Sequence, residues 1–159
     1  MTRYIAFALG LALAGTVAQA EVVAPDAVAY GEYGEVETSL NGIAGNAEAG
    51  AKVMTTRSLG NCIACHQVGA LEAEPFHGDV GPPLDGAADR WNEAELRGIV
   101  SNAKMTFPGT IMPAFYKTSG FIRPGDDFTG KAAPEDLPPL LTAEQIEDVV
   151  AYLMTLHEE

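Results

Sequence analysis

The residues with the clearest chemical potential are Asn61-Cys62-Ile63-Ala64-Cys65-His66, which hold the only two cysteines of the 159-residue chain. Two thiols separated by two residues, with a histidine directly after the second, form the attachment pattern of a c-type haem. Each thiol can add across one vinyl group, and a helical turn places both sulfurs under one side of the ring. The His66 imidazole then projects towards the iron as the proximal ligand. Other chemistries fit less well. A thioredoxin-like pair would sit between a strand and a helix in an α/β chain, and no such pattern surrounds this one. A zinc site needs four ligands, and only His77 and His157 remain to supply them. A plain disulfide leaves the adjoining histidine unexplained.

A second chemical signal lies in Met112-Pro113-Ala114-Phe115, after a Gly109-Thr110 turn. A thioether is a soft ligand that favours Fe(II), and a loop stiffened by Pro113 could carry it to the far face of a haem. Met105, on the same loop but followed by Thr106-Phe107, is the alternative. Met54 and Met154 fall on helical segments, where methionine usually fills core space. Arg90 and Trp91 could donate to anionic haem propionates, with core packing the competing duty for Trp91.

These residues must be positioned by helices. Asn46 caps a first helix expected to run to Arg57, with Ala47, Gly50 or Ala51, Met54 and Leu59 on its apolar face. Gly60 then ends it ahead of the cysteines. Asn92 and Glu95 make a capping box for a second helix, with Trp91 and Leu96 at the staple positions and Leu96, Ile99 and Val100 facing inward. The last helix starts at Thr142, with Gln145 completing its box. Its stripe is Ile146, Val149, Val150, Leu153 and Leu156. Residues 68–84 read as a loop with Glu72, Glu74 and Asp79 facing water. Residues 116–141 form a Gly- and Pro-rich connection longer than ordinary loops, which suggests a covering or binding role. No strand pattern competes, so the fold class is all-α, a single domain.

The first twenty residues read as an export signal. Arg3 precedes an apolar run from Ile5 to Val17, and Ala18-Gln19-Ala20 offers a cleavage site. The run is too short for a permanent membrane anchor, so the expected location is the periplasm. Residues 21–45 then read as an extended arm, with Tyr30 and Tyr33 expected to lie at an interface, and 46–159 as the haem domain. The chain carries 9 Lys+Arg against 22 Asp+Glu, a formal net charge of −13. That surface repels nucleic acid and anionic lipid, and either confers solubility or steers towards a basic partner.

The order helix, C-x-x-C-H, Gly81-Pro82-Pro83-Leu84, middle helix, Met112-Pro113-Ala114-Phe115 and C-terminal helix resembles the class I cytochrome c family over residues 46–159. That resemblance implies the Pro82 carbonyl as acceptor for the second ring N–H of His66, and a close crossing of first and last helices at Gly50 and Tyr152. Ser39-Leu40-Asn41-Gly42, the acidic loop, Thr110 to Tyr116 and Leu141 to Leu153 resemble the SoxX family more narrowly. Membership would imply one covalent haem c and a SoxA-like monohaem or dihaem cytochrome partner. The pair would act as an L-cysteine S-thiosulfotransferase, conjugating thiosulfate to a cysteine of the SoxYZ carrier. This chain would only pass electrons to a soluble cytochrome c, because haem attachment consumes both of its cysteines. A free electron shuttle and an open-site haem sensor or small haem enzyme are the other readings. The shuttle leaves the arm and the 116–141 connection without a task, and the open site requires that Met112 not bind.

Overall fold

A computed structural model describes residues 21–122, 124–125 and 130–158. The expected export signal lies outside the described residues. Four α-helices and three short 3-10 turns make up the described structure, with one isolated antiparallel bridge between Gly125 and Ala132 and no strand among the described residues. None of the described helices is long and apolar enough to cross a membrane.

Helix α1 spans Ala47–Thr55, and the Asn46 side chain accepts from the Ala49 N–H at its start. It stops two residues short of the expected Arg57. The Thr55 and Thr56 hydroxyls turn back onto the carbonyls of Ala51 and Lys52, competing with continuation of the helix. Its buried face is Gly50, Val53 and Met54. Val53 thus belongs to the inner face, whereas Ala47 and Leu59 are only half-buried.

Helix α2 (Ala87–Arg90) is a single turn, and α3 (Glu93–Asn102) follows with its full Asn92/Glu95 capping box. Helix α4 (Ala143–Leu153) carries the Thr142/Gln145 box. The last stripe is buried from Ile146 through Leu156, as its spacing demands. Helix α1 crosses α4 at Gly50, where any Cβ would clash with the Asp148 carbonyl and crowd Tyr152. Glycine there lets two backbones meet closely enough to exclude water from the crossing.

The arm folds back over this core. Val23 N–H donates to the Leu40 carbonyl at 2.7 Å and Val36 N–H to the Ala94 carbonyl at 2.9 Å. Val36 and Leu40 are buried, each contributing about 1.5–3 kcal/mol of apolar transfer. Tyr30 is half-buried against the domain, whereas Tyr33 is 74% exposed and does not pack on it. The Gly31–Glu35 turn holds it outward, through the Gly31 N–H to Glu35 carbonyl bond.

Charges inside the core were not visible in the helical stripes. Arg97 of α3 and Glu147 of α4 are both buried and paired, Nε to the two carboxylate oxygens at 2.9 and 3.1 Å. Arg97 also donates to the Val36 carbonyl at 2.8 Å and pairs with Glu93. Glu147 accepts the Leu40 N–H at 2.7 Å. Burial opposes the charge on Arg97, but Glu147 and Glu93 more than offset it and hold the guanidinium above its ordinary pKa. Asp148, also buried, accepts the Asn46 N–H at 2.7 Å. Two acidic side chains of α4 therefore fasten the arm and the start of α1.

Candidate haem-attachment site

The motif is shaped by backbone. Asn61 takes the left-handed conformation (φ 47°), which asparagine tolerates better than most residues, and Cys62–Ala64 follow as a 3-10 turn. The His66 and Cys65 N–H groups both close onto the Cys62 carbonyl, at 3.0 and 3.1 Å. Both cysteines are free thiols. Cys65 is exposed, while burial of Cys62 pushes its thiol up to about 12.

The loop after the motif is sewn to it. Gly78 N–H donates to the Ile63 carbonyl, Gly81 N–H to Cys65, and Leu84 N–H to Gln67, all between 2.7 and 2.9 Å. His77 works within this loop, Nδ1 accepting from Val68 N–H at 3.3 Å and Nε2 donating to the Leu71 carbonyl at 3.0 Å. Gly81 lies flat against the His66 ring, since a Cβ there would overlap it. His66 Nδ1 is 2.7 Å from the Pro82 carbonyl. A carbonyl accepts only, so Nδ1 carries the proton and Nε2 keeps its lone pair.

That geometry fits an iron-bound haem. A ring fixed through Nδ1–H, with Nε2 as the free donor and two unbridged thiols one and four residues upstream, matches the donor set such a group requires. Among the described residues, Nε2 of His66 makes no hydrogen bond.

The remaining candidates fall into distinct places. Met112 is half-buried against the core, its N–H on Thr110 Oγ1 at 3.2 Å and its carbonyl accepting from Lys104 Nζ. Met105 is 45% exposed, and Met54 is sealed in the core. Arg90 gives its two terminal nitrogens to the carbonyls of Asp85 and Pro83, at 2.7 and 3.1 Å. It braces the loop that presents Pro82, a duty that the propionate expectation did not include. Trp91 is half-buried and stands edge-on to Phe107 at 5.9 Å, so packing is part of its work. Its indole N–H makes no hydrogen bond among the described residues.

Sequence reasoning missed the bracing role of Arg90 and the clamp formed by His77. The first had a faint signal, a basic residue four positions after the Gly86 turn. The second had none, because both partners are backbone groups.

Comparison with known proteins bears on the family of the chain. The family model for cytochrome c matches residues 47–157. A chain in the crystal structure of SoxXA from P. pantotrophus is 64% identical, with a TM-score of 0.81, over 85% of this chain and 98% of that one. Among curated proteins, none matches the chain. The cytochrome c family binds its haem covalently. With all-helical architecture, the attachment motif and these matches in agreement, the chain belongs to the cytochrome c family, with the class I fold, and within it to the SoxX electron-transfer subunits.

Proposed function

We propose that the chain is the single-haem subunit of a SoxAX-type complex in the periplasm, taking electrons released when thiosulfate is joined to a cysteine of a SoxYZ carrier. The observation that carries this reading is the 64% identity to a chain of SoxXA, extending over nearly all of that chain. The partner is then a SoxA-like cytochrome, and a soluble cytochrome c receives the electrons.

Within this reading Cys62 and Cys65 hold the haem as thioethers and His66 is the proximal ligand. Met112 is the distal ligand, supported by its half-buried position against the core and by the exposure of Met105. When bound, the haem supplies a one-electron iron couple. The protein's own part is to fix the ligands. Pro82 holds the Nδ1 proton of His66 and thereby the ring's orientation and basicity. Trp91, with its N–H uncommitted, serves a propionate better than Arg90 does. Neither cysteine stays available as a sulfur nucleophile once the thioethers form. The thiosulfate chemistry therefore belongs to the partner, and the expected export signal at residues 1–20 delivers the chain to the compartment where haem is attached.

Co-expression with a SoxA-like protein followed by size exclusion tests the assembly. Co-elution of both chains at low and at moderate salt is expected. Elution of this chain alone under both conditions would replace the complex with the free-shuttle reading.

A further inference from the structure

Beyond the ligands, the C-terminal tail makes an unexpected set of contacts with the proximal loop. Past α4, Leu156 is buried and its carbonyl accepts the Ala88 N–H of α2 at 3.0 Å. His157 Nδ1 lies 2.6 Å from one Asp89 carboxylate oxygen, and the Glu158 N–H donates to the other at 2.6 Å. Both oxygens of Asp89 are thus taken by the tail. The hydrogen bond from His157, then that from Glu158, holds this carboxyl below its ordinary pKa. The Glu158 side chain also lies over Gly86, at the start of the same helical turn.

The next residue in the chain continues the linkage. Arg90 reaches back from α2 to the carbonyls of Pro83 and Asp85. Asp85 in turn accepts the Gly69 N–H at 2.8 Å. Pro82 sits directly before these anchor points and holds the His66 ring. Helix α2 is a single turn of four residues, too short to keep its own orientation without outside support. Its two ends are supplied with that support by the tail on one side and the loop carbonyls on the other.

We propose that the tail, through the Asp89–His157 and Asp89–Glu158 contacts, is a positioning brace that sets the His66–Pro82 hydrogen bond and so tunes the haem. The inference rests on the haem reading above. A shorter, straighter Nδ1–H bond makes the imidazole a more basic ligand, which favours the ferric state. Loosening the brace weakens that bond and raises the midpoint potential. Arg90 and Asp89 act through Pro82 and touch no ligand atom of the iron.

Asp89 and His157 are both surface side chains, so their replacement leaves the core intact. The test compares haem-loaded, full-length wild type with Asp89→Ala, His157→Ala and the double variant. Two quantities are read, the midpoint potential and the exchange rate of the His66 Nδ1 proton by NMR. Asp89→Ala should raise the potential and speed exchange about tenfold, the size expected when a local opening becomes easier by one hydrogen bond's worth. His157→Ala should move both quantities in the same direction by less. The double variant should go no further than Asp89→Ala alone, because both changes break one linkage. A lowered melting temperature with unchanged potential and exchange would overturn the brace and leave a purely structural tail. Wild-type protein that fails to bind haem covalently would sink the underlying haem reading instead, so the two failures are told apart.

Discussion

The His66 and Met112 sides of the molecule are held in opposite ways. On the His66 side, most support is local and made by main chain, with residues 63–67 bonded to residues 78–84; the Arg90 side chain and, from farther along the chain, the C-terminal tail close the rear. On the Met112 side, local bonds to Thr110 and Lys104 are joined by support from farther along the chain. Tyr116 Oη donates to the Val23 carbonyl at 2.6 Å, Tyr116 N–H to Ser101 at 2.9 Å and Leu141 N–H to Phe115 at 3.0 Å. Gly34 of the arm presses on the backbone of Met105 and Thr106, so that a Cβ there would clash. Ile111, next to Met112, is 80% exposed. A ligand fastened by its own neighbours survives loss of distant contacts, whereas one fastened through an arm depends on that arm. Met112, as the proposed distal ligand, should therefore be the first to let go when the fold is stressed.

Three comparisons sharpen or break that contrast. The largest effect is all-or-none. Met112→Ala should abolish the near-infrared methionine–iron band of the oxidised protein and let the reduced protein take up carbon monoxide, while Met105→Ala should retain the band. Survival of the band in Met112→Ala would move the ligand elsewhere and remove one side of the comparison. Next is Arg97→Met, which leaves Glu147 buried without its cation and should lower stability in urea by about 3–5 kcal/mol. Because Arg97 and Glu147 hold Val36 and Leu40, the methionine band should vanish at lower urea than the helical circular dichroism. Coincident loss of the two signals would mean that the arm does not selectively support the Met112 side. Smallest is Tyr116→Phe, which removes the bond to Val23. It should cost about 1 kcal/mol and advance the loss of the methionine band without altering the His66 ring proton. A change confined to the His66 side would reverse the assignment of the arm.

Much of this arrangement is legible along the chain because its signals are short. The cysteine spacing, the two capping boxes and the stripe from Ile146 to Leu156 each depend on residues within a few turns, and helix α4 begins where Thr142 and Gln145 require. Boundaries decided by weaker local effects shift. Helix α1 ends at Thr55 because threonine hydroxyls compete for its last carbonyls, a choice that apolar spacing does not register. Val53 joins the inner face because α1 is rolled against α4 around Gly50.

Glu147 and Asp148 show the limit more sharply. Adjacent acids on a helix read as a solvated face, yet both are buried. Their partners are Arg97, 50 residues away, and the backbone N–H groups of Leu40 and Asn46, over 100 residues away. Arg90 gives a milder case, its cationic head turned to carbonyls five and seven residues back.

The sequence by itself pointed to the family and to the three longer helices, and carries the haem-attachment pattern on which the proposal rests, since such a pattern and helix capping are properties of neighbouring residues. Only the tertiary structure decided which groups orient His66, that the Met112 loop leans on the arm, and what residues 156–158 contact. Those outcomes turn on carbonyls and carboxylates meeting across long stretches of chain, and a backbone carbonyl looks the same at every position until the fold aims it.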